Sequence, residues 1–319
     1  MLITDSSMGC NVNAQTNVQN EYLLAVNTLA SISQRRFLNV WMAFEPIFKL
    51  TTWGRQHDRA LNIVHGFVNK IIVERKLEWK SKKAEVVQEK MQKRQALLDL
   101  LLEMSNDGKT LSDNDIRDEV NTFMFAGHDT TATSVSWVLY ALGRHPEYQE
   151  KILNEFSEMI GRKKLSLDLV NKLSWLEACI KESWRLYPVT PLIARQIYHP
   201  ITILKKEIPV GSTVLINSFL LHRDSRYFPE PEVFKPERFL PNGSRYPSYA
   251  FIPFSAGSRN CIGWRFATMI VKIIVLHVLR SFTVESVERE GDLRFICELV
   301  LHNAAGVKLK IVPRSSKDD

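Results

Sequence analysis

Leu61, Val64, Phe67, Val68, Ile71 and Ile72 recur every three to four positions, which predicts an amphipathic helix with one apolar stripe. The helical texture extends from about residue 20 to 185. Lys80, Lys82, Lys83, Glu85, Glu89, Lys93 and Arg94 follow that stripe and read as a solvated face, with contact to anionic lipid or an acidic partner as the second reading. Ser112 with Asp115 resembles a capping box that opens a long helix over 113–144, closed by Arg144-His145-Pro146. Ser174 is the expected cap of a helix from Trp175 to Leu186 that Pro188 stops. After Pro188 the pattern changes. Ile201 to Leu204 and Thr213 to Ile216 read as short strands joined through Pro209-Val210-Gly211. Residues 223–254 are rich in proline and aromatics, an irregular layer. A helix from about Gly263 to Arg280, strand-like runs at 293–301 and 306–312, and a polar tail complete the chain. The pattern predicts a mainly α protein with a smaller β part.

Composition narrows the class. With 319 residues, 45% hydrophobic, 24% charged, 13 Gly and 13 Pro, the chain is neither collagenous nor largely disordered. No repeat of 20 to 50 residues is visible, against a solenoid. The net charge of +7 is not gathered into a basic block with interleaved aromatics, so nucleic acid is not an expected partner. Cys10, Cys179, Cys261 and Cys297 lie far apart without a C-x-x-C pair, which argues against a disulfide scaffold or structural zinc and for reduced thiols facing the cytosol. The opening MLITDSSMGC has no basic flank before an apolar run and is not a signal peptide, so Asn242-Gly243-Ser244 is read as a turn. Ile270 to Leu279 is interrupted by Lys272 and His277 and is too short to span a bilayer, so we expect no membrane anchor in this chain.

The strongest chemical signal is Phe254-Ser255-Ala256-Gly257-Ser258-Arg259-Asn260-Cys261-Ile262-Gly263, with the spacing F-x-x-G-x-R-x-C-x-G. A helix beginning just beyond Cys261 offers oriented N–H groups and a positive dipole end to a thiolate. Gly257 and Gly263 permit backbone geometry and a close approach that a Cβ would obstruct. Phe254 is suited to pack over the sulfur, and Arg259 to pair with a carboxylate beside a flat cofactor. An axial thiolate on haem iron donates electron density that favours cleavage of bound dioxygen.

This loop resembles the haem-binding signature of the cytochrome P450 monooxygenases. The resemblance covers about residues 1–312, leaving 313–319 as the tail, and implies that family's fold lacking its N-terminal portion. Residues 1–186 are its helical part, 187–253 its β and meander part, 254–280 the haem-ligand loop and helix, and 281–312 C-terminal strands. The chain is expected to enter partway through the helical domain, with Asp5 to Asn13 as the end of an early helix. An N-terminal anchor and a Trp/Arg pair to the haem propionates would then be missing.

Three further segments agree. Ala126-Gly127-His128-Asp129-Thr130-Thr131 lies within 113–144; a helix-interior Gly costs about 1 kcal/mol against Ala and, beside an acid and alcohols, suits a locally opened ladder facing a pocket. The resemblance implies oxygen activation here, with Asp129 as the acid and Thr130 as the alcohol. The run from Val120 looks most like family 4, the fatty-acid ω-hydroxylase group, with Asn121 where Asp is common. Many of that group carry Glu at the place of Ala126 and ester-link it to haem, so haem is expected to be non-covalent here. Glu182-Ser183-Trp184-Arg185 with Pro236-Glu237-Arg238-Phe239 is similar to the family's structural brace of Glu182, Arg185 and Arg238. By the same resemblance Arg195 reaches a propionate, and Val189, Leu192 and Ile193, with Ala126, line the substrate pocket.

The implied activity is a haem-thiolate monooxygenase. It takes electrons from an NADPH-dependent flavoprotein reductase and inserts one atom of O2 into a lipophilic substrate (a fatty acid, hormone or xenobiotic). The implied location is the cytosolic face of the endoplasmic reticulum membrane. A non-catalytic fragment that binds haem poorly is the alternative from another class, and isomerase chemistry without external electrons is disfavoured by Asp129 and Thr130.

Overall fold

The apolar stripes become helix contacts, and the short alternating runs become hairpins between them. The computed structural model describes residues 21–85, 96–105, 108–159, 166–243 and 245–314. Asp5 to Asn13, Cys10, the charged side chains from Lys80 to Arg94, Ser244 and the end of the tail lie outside the described residues. Two structural units divide the chain between Asp129 and Thr130.

The first unit holds α1 (Glu21–Leu38), α2 (Val40–Ala43), α3 (Glu45–Leu50), α4 (Thr52–Glu85), α5 (Leu97–Ser105) and the start of α6 (Asp113–Arg144). Val64, Val68 and Ile72 form the buried line of α4, packed with Tyr22 and Ala25 of α1, Leu98 and Leu102 of α5, and Ile116, Val120 and Met124 of α6. Arg75 of α4 holds Asp99 of α5 through two hydrogen bonds of 2.6 and 2.8 Å. The capping box forms: Asp115 N donates to Ser112 Oγ at 3.2 Å, and Ser112 N donates to Asp115 Oδ2 at 2.8 Å.

The second unit continues α6 into α7 (Pro146–Met159), α8 (Leu167–Asn171) and α9 (Ser174–Leu186). Among the described residues, four antiparallel pairs lie around α10 (Ser218–Leu221), a 3-10 turn at Pro236–Phe239 and α11 (Trp264–Ser281). Val271, Val275 and Leu279 of α11 share one core with Leu176 and Ile180 of α9, Ile152 of α7 and Trp137 of α6. Trp137 also stacks on Tyr187 at 4.7 Å and donates its indole N–H to Leu301 O at 2.7 Å.

Several expectations change. β1 (Leu192–Gln196) pairs with β4 (Thr213–Asn217), while β2 (Ile201–Ile203) pairs with β3 (Lys206–Ile208), so the two predicted strands are not partners. Leu204 and Lys205 make the intervening two-residue turn with φ of 48° and 63°, the left-handed pair that a tight hairpin needs, but without the usual glycine or asparagine. β5 (Phe282–Ser286) pairs with β8 (Leu309–Pro313). The run at 293–301 divides into β6 (Phe295–Glu298) and β7 (Val300–Asn303), folded back at Leu299 with φ 67°. Ser174 does not cap α9. Its N–H and that of Trp175 donate to the Glu155 carboxylate at 2.7 and 2.9 Å, so a side chain from α7 satisfies the helix start. The helical assignment of α6 is also unbroken through Gly127, without the expected opening.

Candidate functional site

The cysteine loop precedes α11 and consists of two hydrogen-bonded turns. Ser255 N donates to Ile252 O at 3.0 Å and Asn260 N to Gly257 O at 3.2 Å, and Cys261 N closes the loop onto Phe254 O at 2.9 Å. Gly257 sits at φ 82°, which glycine adopts at little cost; Ser255 sits at φ 62°, which a side chain disfavours. Of the two reasons expected for Gly263, unusual backbone geometry is not used. Its φ is an ordinary −87°, and a Cβ there would meet only Cys261 Sγ, at 3.9 Å. A Cβ there would reach only ordinary contact with the sulfur, so that side of Sγ is not filled by protein atoms. Cys261 is exposed, as are its chain neighbours Ile262 (84%), Trp264 and Phe266. Phe254 packs edge-on against Trp184 at 5.0 Å, and Trp184 in turn donates its N–H to Ser134 Oγ at 2.6 Å. That anchors the first arm of the loop to α9 and α6.

Glu182, Arg185 and Arg238 are brought together and buried. Arg185 holds both carboxylate oxygens of Glu182 at 2.8 Å and gives its remaining N–H groups to the carbonyls of His222, Pro231 and Val233 at 2.9, 2.6 and 3.2 Å. All five guanidinium donors are used. Glu182 Oε1 also accepts from Lys235 N at 2.8 Å and from Arg238 Nε at 3.3 Å. The pair stitches α9 to the proline-rich layer at 222–238.

Burial and two neighbouring cations, Arg185 and Arg223, push the His222 imidazole down to about 4, opposed by main-chain groups of Trp184 and Arg185. His222 is fully buried, and its Nε2 accepts from Ile252 N at 2.9 Å. It had no motif to announce it, because its partners lie far away in sequence.

Arg195 is on β1, where Nη2 donates to Ser255 Oγ at 2.9 Å and Nη1 to Ala194 O at 2.9 Å. Ile193 shares its strand face, whereas exposed Leu192 projects to the other face, since successive strand residues alternate. Val189 is half-buried, with its carbonyl accepting from Leu301 N at 2.8 Å. Arg259 is exposed. Ala126 and Asp129 belong to the first unit and Thr130 opens the second, all on α6.

Among the described residues, no cluster of three or more His, Cys, Asp and Glu side chains is arranged to hold a metal ion. The loop's resemblance to a haem-binding signature implies a haem iron at Cys261. The site fits such a group: an exposed thiol, open space on the Gly263 side, exposed apolar neighbours and two arginines. The family model described as "Cytochrome P450" matches residues 2–311. Among curated relatives, Cytochrome P450 4c3 of Drosophila melanogaster is 40% identical over 334 residues, covering 98% of this chain and 61% of the relative. Cytochrome P450 4V2 of Mus musculus is 40% identical over 328 residues and that of Homo sapiens 38% over 327, each match covering 99% of this chain and 62% of the relative. This chain thus spans about three fifths of the length of these relatives. The motif, the fold and a match over nearly every residue lead to one conclusion: the chain belongs to the cytochrome P450 family, whose cofactor is haem iron.

Proposed function

We propose that this protein is a haem-thiolate monooxygenase in which Cys261 Sγ would hold the iron of a non-covalently bound haem. One atom of dioxygen enters a lipophilic substrate, a fatty acid, hormone or xenobiotic. The other leaves as water, and the electrons come from NADPH through a flavoprotein reductase. The observation that carries this reading is the closed Phe254–Cys261 loop presenting an exposed sulfur, with Gly263 beside it lacking a side chain. Haem bound there supplies dioxygen reduction and oxygen transfer, chemistry that a thiolate ligand favours.

The chain's residues divide the remaining work. Phe254 O fixes the Cys261 backbone, and Gly257 allows the turn between them. Arg195, held by its hydrogen bond to Ser255 Oγ, and Arg259 would pair with the carboxylates of a bound haem. The Asp129 carboxylate and Thr130 Oγ1 are assigned the protons that the reaction consumes. Glu182, Arg185 and Arg238 are structural. On the family likeness, Val189 and Ile193 are assigned apolar contacts to the substrate; Leu192, exposed on the opposite face of β1, is not. The cytosolic face of the endoplasmic reticulum membrane is the proposed location, on the family likeness; among the described residues no helix is long and apolar enough to cross a membrane.

Turnover tests this reading. Holoprotein with a flavoprotein reductase, NADPH and isotope-labelled dioxygen, given a fatty acid, a steroid and an aromatic xenobiotic in turn, should yield a product bearing one labelled oxygen from at least one of them. Absence of label from every product contradicts it.

A further inference from the structure

The cysteine loop is held in a conformation that it would not adopt alone. Ser255, a non-glycine residue at φ 62°, sits in the left-handed region, and such a residue persists only where its surroundings over-determine it. Two side chains from elsewhere in the second unit reach into this turn. Arg195 donates to Ser255 Oγ at 2.9 Å, and His222 Nε2 accepts the N–H of Ile252, the residue that opens the turn, at 2.9 Å.

His222 joins two systems. It ends α10, its N–H donating to Ser218 O at 2.9 Å, and its carbonyl receives Arg185 Nη1 at 2.9 Å. Its ring lies against Phe251 with centroids 5.2 Å apart. A path of hydrogen bonds and peptide units therefore runs from the buried Glu182–Arg185 pair, through His222, to the Ile252–Ser255 turn and on to Phe254 O, which takes the Cys261 N–H. To accept at Nε2 the ring must be neutral with its proton on Nδ1. Burial and the charges of Arg185 and Arg223 favour the neutral ring against main-chain groups of Trp184 and Arg185, while Nδ1 itself is buried and meets no hydrogen-bond partner among the described residues.

We infer that His222 is a positioning residue for the haem ligand: its Nε2 lone pair fixes the Ile252 amide and so sets the turn from which Cys261 is presented. This rests on the haem-thiolate reading, and the test separates the two. Leucine at position 222 fills a similar space without an acceptor, while glutamine places an amide oxygen within reach of the Ile252 N–H. Wild type, His222→Leu and His222→Gln are compared by two readouts. One is the thiolate-type Soret band of the reduced, carbon monoxide-bound holoprotein. The other is hydrogen exchange of the peptic fragment containing Ile252, referenced to fragments from α9.

His222→Leu should shift most of the carbon monoxide complex to the band of haem without a thiolate and speed exchange at Ile252 by about tenfold, with α9 unchanged. His222→Gln should restore both. A merely space-filling histidine would lower stability in both variants without this split. Equal behaviour of the two variants, or a Leu variant with wild-type band and exchange, overturns the inference. If the Leu variant does not accumulate folded, the Gln variant decides: thiolate-ligated haem supports the role and its absence overturns it. A wild type without the thiolate band overturns the haem-thiolate reading instead, and exchange at Ile252 still reports on His222.

Discussion

At the scale of single residues, local chemistry is the most legible. Cys261, Gly257 and Arg259 fall within ten positions, so their spacing alone marks the loop. What that spacing does not contain is how the loop is held. His222 lies thirty residues from Ile252, and Arg195 sixty from Ser255; both depend on chain reversals with no local signature. At Gly263 the backbone freedom that its residue type suggests is not used, because its φ is ordinary; a Cβ there would meet only Sγ, at 3.9 Å. Ala126 supports a prediction at this scale. A methyl group has no carboxylate to esterify a haem, so acidified organic solvent should extract all of the haem from denatured holoprotein. Haem that stays with the polypeptide contradicts the non-covalent assignment.

At the scale of elements, the helices are readable because burial writes a period into the sequence, as the Val64, Val68 and Ile72 line of α4 shows. Strand partners are not. Leu204, Lys205 and Leu299 take left-handed conformations without glycine, so nothing in their residue types announces the hairpin turns. The start of α9 escapes a local reading for a related reason: its cap is Glu155 on α7, a tertiary contact. The Glu182–Arg185–Arg238 brace joins α9 to the proline-rich layer, and removing one member strands a charge with no access to water. We expect Glu182→Ala and Arg185→Ala each to destabilise the protein by about 3–5 kcal/mol, measured by denaturant unfolding, and to abolish haem incorporation. Arg185→Lys should fail as well, since an ammonium has three donors where the structure uses five. A normal haem spectrum in any of these contradicts the role given to the brace.

At the scale of the whole molecule, mainly helical architecture with small antiparallel hairpins follows from the order of patterns along the chain, and the match to the family over residues 2–311 agrees. The unit division at Asp129–Thr130 is not visible in the sequence, because one continuous helical pattern runs through it. The thiolate is where the whole account is most exposed. The most direct measurement is the reduced, carbon monoxide difference spectrum of the purified protein beside Cys261→Ser prepared identically. Wild type should show the thiolate-type Soret band, and the serine variant should lose it. A wild type without that band, or a serine variant that keeps it, contradicts the assignment of Cys261 as the haem ligand.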